Sequence, residues 1–112
     1  MSEQPVVNAI LDYLHRCGHC AIRINSGLQI INSNGNRRAF HGAPAGTSDI
    51  IACVDGRFVA IECKAGKNKP TKLQADFLQN ISERGGIAIV AYSVEDVIFA
   101  LNAIDKSGIG KI

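Results

Sequence analysis

The chain has 112 residues and a mass of 12.0 kDa. That is a single domain, 1–112, since a second core would leave each half too small to hold itself together. Apolar residues make up 46% and charged residues 20%, the balance of a globular chain and not of a disordered one; the longest apolar run, residues 87–92, is too short to span a bilayer. The formal charge of +2 neither demands nor excludes nucleic acid, so local clustering of charge has to decide.

Val6, Val7, Ile10, Leu11 and Leu14 recur at helical spacing behind Pro5, which suits a first turn. A helix is expected over 4–17, ended by Gly18. Residues 20–25 alternate, with Ile22 and Ile24 on one face and Arg23 and Asn25 on the other, as in a half-buried strand. Gly27 breaks it, and residues 28–31 are expected to continue the same sheet as a hairpin partner. Ser33-Asn34-Gly35-Asn36 is a turn signal. Residues 41–47 hold Gly42, Pro44 and Gly46 and read as a loop held close to something.

Residues 48–54 and 57–64 are two apolar strands joined by Asp55-Gly56, a strong hairpin signal. After a polar loop over 67–72, Thr71 caps a helix carrying Leu73, Phe77, Leu78 and Ile81, which ends at Gly85-Gly86. Residues 87–92 form a short apolar strand of the kind buried on both faces. Ser93 caps a last helix with Val94, Val97, Ile98 and Leu101 inward and Glu95 and Asp96 in its first turn, where the helix dipole favours them. Residues after Ala103 read as a frayed tail. The step from 57 to 92 is long enough for a parallel crossover. The expected class is α/β, with a mixed central β-sheet flanked by helices.

Four cysteines are present, Cys17, Cys20, Cys53 and Cys63. The opening Met-Ser-Glu-Gln-Pro has no basic cluster ahead of an apolar core, so a secretory signal is not expected, and reduced thiols in a cytoplasm are the default. Cys17-Gly18-His19-Cys20 has the spacing of a redox pair. Such pairs open a helix, whose N-terminal dipole stabilises the thiolate, whereas this one closes a helix. A zinc site from His15, Cys17, His19 and Cys20 lacks a second ligand pair at finger or ribbon spacing. A helix end with small buried thiols is the reading that remains.

Chemistry is written into the Asp55-Gly56 hairpin. With a two-residue turn, Val54 opposes Arg57 and every pair sums to the same number, so Asp49 opposes Glu62. Directly opposed residues of an antiparallel pair have Cβ atoms about 4.5–5.5 Å apart on one face. Two like charges at that distance repel by roughly 3 kcal/mol at an effective dielectric of about 20. They must share a proton or recruit a cation, and converging carboxylates favour Mg2+, with Mn2+ substituting. Lys64 lies two residues past Glu62, on the same face. Cys63 points to the other face, while its backbone carbonyl lies level with the site and can serve as a neutral ligand. Two acids, a lysine and a divalent ion suit hydrolysis of a phosphodiester. Glu62 and Lys64 as plain surface ladder charges are the bland alternative; it is disfavoured because Asp49 and Glu62 end otherwise apolar stretches.

Gly46-Thr47-Ser48-Asp49 with Ile61-Glu62-Cys63-Lys64-Ala65-Gly66 resembles the active site of the PD-(D/E)XK nuclease superfamily, and within it the stand-alone VRR-NUC domains of phages and bacteria. The likeness runs from about Glu3 to Leu101. It takes in the segment from Ala9 to Leu14, Arg23-Ile24-Asn25-Ser26-Gly27, and Gln74. The resemblance implies a restriction-endonuclease-like core, Asp49 and Glu62 on the metal, Lys64 and Gln74 as catalytic residues, and Glu3 completing the metal shell. Ser48 stands where the superfamily name has proline. Thr71-Lys72-Leu73-Gln74 also matches a capping box, so Gln74 carries both readings.

Arg57, Lys64, Lys67, Lys69 and Lys72 cluster, and Arg37 and Arg38 precede the glycine-rich loop. Beside a phosphodiester site, Arg37, Arg38, Lys67, Lys69 and Lys72 read as contacts to a DNA backbone, with Asn25 and His41 within possible reach of the scissile region. No tryptophan is present for stacking on single strands. One small chain carries one site, and cutting two symmetry-related strands needs two. The family likeness therefore implies a homodimer acting on four-way DNA junctions. A general DNA nuclease and a non-catalytic DNA-binding module with the same fold are the alternatives.

Overall fold

The computed structural model describes residues 2–26 and 28–107, with the backbone alone at 28, 29, 40, 41 and 104–107. The elements are α1 (Gln4–Arg16), β1 (Cys20–Arg23), β2 (Leu28–Ser33), β3 (Asn36–His41), β4 (Ile50–Val54), β5 (Arg57–Cys63), α2 (Lys72–Glu83), β6 (Ile87–Ala91) and α3 (Val94–Ser107). The architecture is mixed α/β. A four-stranded sheet runs in the order β1-β4-β5-β6, antiparallel except for the parallel β5–β6 pair. No helix among the described residues is long and apolar enough to cross a membrane.

α1 starts with Pro5 in its first turn and buries Val7, Ile10 and Leu14. It ends in a Schellman motif. Gly18 at φ +82° lets its own N–H reach the His15 carbonyl and the His19 N–H reach the Leu14 carbonyl, both at 3.0 Å. The chain then enters β1 directly. The thiols at this helix end are not buried as expected: Cys17 and Cys20 are exposed, as is Cys53, whereas Cys63 is buried.

Asp55 and Gly56 both sit at positive φ, as a type I′ turn requires, and this fixes the β4–β5 register. Val54 pairs with Arg57 and the ladder runs to Ile50 with Ile61. One face of the sheet, with Ile50, Ala52, Val59, Ile61 and Cys63, meets Ile10 and Leu14 of α1 and Val97 of α3 in the core. Complete burial of a side chain such as Ile10 or Leu14 is worth about 1.5–3 kcal/mol. The alternate residues of β5, Ala60 and Glu62, face the other way, and α2 crosses that second face on its path from β5 to β6. Toward β1 no helix among the described residues covers it. Cys20, Ile22, Ile51, Cys53 and Phe58 line a shallow groove of about 220 Å³ there.

Several expectations need correction. Residues 28–31 do not join the main sheet: β2 pairs with β3 in a separate two-stranded ribbon, and β1 takes β4 as its neighbour instead. β1 buries Ala21 and leaves Ile22 56% exposed, because the parity that faces α1 falls on the alanine. β6 is an edge strand with Val90 outward, so it is not buried on both faces. Of the apolar residues carried by α2, Leu73 is exposed, whereas Leu78 is buried. The helical backbone of α3 continues past Ala103 to Ser107; the rest of the expected tail, 108–112, lies outside the described residues, as does Gly27.

Candidate active site

Backbone pairing of β4 with β5 stops at Ile50 and Ile61. The next free N–H of β5 on that side, Cys63, is taken by a side chain: it donates to Asp49 Oδ2 at 2.8 Å. The main chain of Asp49 is held from the opposite side, where its carbonyl accepts the Ile24 N–H at 2.7 Å. Just upstream, the fully buried Ser48 donates its hydroxyl to the Ile50 carbonyl at 3.1 Å and turns the chain out of the ladder. The sequence marks Ser48 only as the residue in place of the superfamily's proline and suggests no such role for it.

The loop before Ser48 is pressed onto α2. Gly46 has φ +93°, and a Cβ there would lie 2.7 Å from the Leu73 carbonyl oxygen. This is the close approach that the glycines of 41–47 lead one to expect. Thr47 closes the loop by donating its hydroxyl to the Pro44 carbonyl at 2.7 Å.

Glu62 is 2% exposed. Its Oε2 lies 3.6 Å from Lys64 Nζ, itself buried. Its Oε1 is buried with no hydrogen-bond partner. Burial, followed by the charge of Asp49 and the close approach of the two carboxyls, pushes Glu62 up to about 8, against the opposing pull of Lys64. The structure therefore brings Asp49, Glu62 and Lys64 together on one face, and burial beside Asp49 favours the protonated form of Glu62.

Cys63 turns its thiol to the core, where burial first, and then the negative charges of Asp49, Glu62 and Glu3, push it up to about 12. That thiol is inert. Its carbonyl projects to the same side as its N–H, as in any extended strand, and so emerges beside Asp49. The donors on offer are thus two hard carboxylates, one with a buried oxygen lacking a donor, and one carbonyl. Mg2+ is held in such settings by one or two carboxylates while it keeps several waters, so the residues fit that ion. Among the described residues no group of three or more His, Cys, Asp or Glu side chains converges.

The remaining candidates are placed differently. Glu3 is the residue ahead of α1, and its Oε2 accepts the Asn68 side-chain N–H at 3.3 Å. Among the described residues it does not converge with Asp49 and Glu62 as a third carboxylate. Gln74 is the third residue of α2 and completes a capping box with Thr71: its Oε1 accepts the Thr71 N–H at 2.9 Å and its own N–H donates to Thr71 Oγ1 at 3.3 Å. Lys72 pairs with Asp76 one turn on, at 2.9 Å. Lys67 and Lys69 are exposed in the loop after β5, which Tyr92 pins by donating its hydroxyl to the Asn68 carbonyl at 2.5 Å. Asn25 is exposed, and its carbonyl accepts the Ala43 N–H at 2.9 Å. Arg37 and Arg38 are exposed on β3. The side chain of His41 lies outside the described residues.

No protein-family description and no curated protein matches this chain.

Proposed function

We propose that this chain is a Mg2+-dependent DNA endonuclease with a PD-(D/E)XK-type core of the VRR-NUC kind. It acts as a homodimer on branched DNA, four-way junctions above all. One observation carries the reading. Asp49 and Glu62 meet at the open end of the β4–β5 hairpin, with Glu62 Oε1 buried and without a donor and Lys64 Nζ at 3.6 Å from the other oxygen. A cation held there would supply neutralisation of charge on a phosphoryl oxygen and a lowered pKa for a bound water.

The protein's own groups have distinct parts. Asp49 and Glu62 would hold the ion, with the Cys63 carbonyl as a neutral donor. Lys64, 3.6 Å from Glu62, would stabilise negative charge that grows on the phosphate. The 43–49 loop, pressed onto α2 at Gly46, fixes Asp49 against movement. Lys67 and Lys69, beside the site, suit contact with the DNA backbone. A cytoplasmic location, in a bacterium or in the host of a phage, goes with reduced thiols and with this substrate.

The test compares a four-way junction with linear duplex, single strand and flaps in Mg2+ and Mn2+. Paired symmetric nicks near the branch support a junction-cutting dimer. Uniform degradation of linear DNA replaces it with a general nuclease. No cleavage of any substrate leaves a non-catalytic DNA-binding module.

A further inference from the structure

No described side chain of the β2–β3 ribbon joins the core. Its six cross-strand pairs run from Leu28 with His41 to Ser33 with Asn36, and Asn34 and Gly35, both at positive φ, make its tip. At about 3.3 Å per residue the ribbon reaches roughly 20 Å. Every side chain described in it, from Ile30 to Ala39, is exposed. Among the described residues no helix or other strand packs broadly against it. A lone two-stranded hairpin is marginal in water, and contact with a further surface would support it.

Its chemistry selects that surface. No Asp or Glu occurs between Arg23 and Asp49. Arg37 pairs with Asn32 and Arg38 with Ile31, and strand alternation therefore sets one guanidinium on each face of the ribbon. Ser33, Asn34 and Asn36 surround the tip with hydrogen-bonding groups. A two-stranded ribbon fits the major groove of B-DNA, which is about 12 Å wide. The root of the ribbon is stitched to the acid pair. The Ile24 N–H donates to the Asp49 carbonyl, the Ala43 N–H donates to the Asn25 carbonyl, and Ser26 forms a parallel bridge with Ala43.

We propose that the β2–β3 ribbon is a DNA-binding arm that enters the major groove, with Arg37 and Arg38 on the phosphates of its two walls. The arm delivers the strand it holds toward Asp49 and Glu62; this last step alone rests on reading that pair as a phosphodiesterase site.

The experiment measures binding of the full chain to a fluorescein-labelled 24-base-pair duplex by anisotropy, with Ca2+ in place of Mg2+, across a range of NaCl concentrations. Each phosphate contact contributes about 0.9 to the slope of log K against log salt. The Arg37→Ala/Arg38→Ala variant is expected to bind about 10–100-fold more weakly near 0.1 M salt, with a slope smaller by almost two units. Arg16→Ala removes an equally exposed arginine on α1, which pairs with Asp12, and is expected to change affinity less than threefold. A slope in the double variant equal to that of the unaltered protein overturns the proposal. So does an unchanged slope with a shifted oligomeric state in sedimentation, which makes the ribbon a clasp between two copies of the chain. Hydrolysis of bis(4-nitrophenyl) phosphate by the unaltered protein in Mn2+ reports on the acid pair separately. If that fails while DNA binding still depends on the two arginines, the arm stands and the phosphodiesterase reading falls.

Discussion

The carboxylate of Asp49 accepts the Cys63 N–H at 2.8 Å, one step beyond the last backbone pair of β4 and β5. A side chain thus completes a ladder that the main chain has left. This contact turns Asp49 across to its neighbour strand and sets it against Glu62, whose Oε1 is buried without a partner. The acid pair is built by secondary structure, and its geometry is as rigid as the hairpin beneath it.

Stability without metal should fall as pH rises. Glu62 is held at about 8 by burial and by Asp49, against an ordinary value of 4.5. The folded state therefore binds this proton more tightly than the unfolded state does. The stabilisation is complete below about 4.5 and is lost as pH climbs through about 8. Thermal unfolding in EDTA is expected to show a melting temperature that declines by several degrees from pH 5 to pH 8.5. Glu62→Gln should flatten that decline, and Mn2+ should restore the melting temperature of the unaltered protein at pH 8.5.

Lys64 is expected to act on turnover far more than on binding. Its ammonium is buried and 3.6 Å from Glu62, so Lys64→Met keeps most of the side-chain volume and removes the charge. At saturating Mn2+, cleavage should fall by about 10²–10³-fold, the range found when a single preorganised charge-stabilising group is lost. DNA affinity in Ca2+ should stay within threefold. Cleavage at the normal rate would remove Lys64 from the mechanism.

Gly46→Ala tests the support of Asp49 from a distance. The substitution places a Cβ against the Leu73 carbonyl at a residue with φ +93°, so either the loop or α2 must shift. A loss of about 2 kcal/mol or more in chemical denaturation is expected, with weaker Mn2+ binding as Asp49 moves. The same substitution at Gly18, where a Cβ would meet nothing within 4 Å, should cost only the strain of its positive φ and leave Mn2+ affinity unchanged.

Much of the site was legible because one short turn dictates it. Asp55-Gly56 admits a single two-residue register, and counting back from it reaches Asp49 opposite Glu62 with no knowledge of the rest of the chain. The capping box was equally local, since Thr71 and Gln74 are three residues apart. What could not be read depends on distant partners. Residues 28–31 carry the same β-forming pattern whether they join the main sheet or stand in a free ribbon, and that choice is made by the pairing of β1 with β4, about thirty residues downstream. The exposure of Ile22 follows from Ala21 facing α1, a parity that alternation alone leaves undecided. Val90 is outward because β6 ends the sheet, and nothing within 87–92 announces an edge.

The central claim, a divalent-cation site between Asp49 and Glu62, is tested most directly by titrating Mn2+ into the metal-free protein by calorimetry at pH 7, in two buffers of different ionisation enthalpy. A buried acid pair that holds a shared proton should release about one proton for each ion bound. Glu62→Gln and Asp49→Asn should each weaken the affinity at least tenfold and abolish that release. Mn2+ binding of equal strength in the unaltered protein and in both variants would contradict the account.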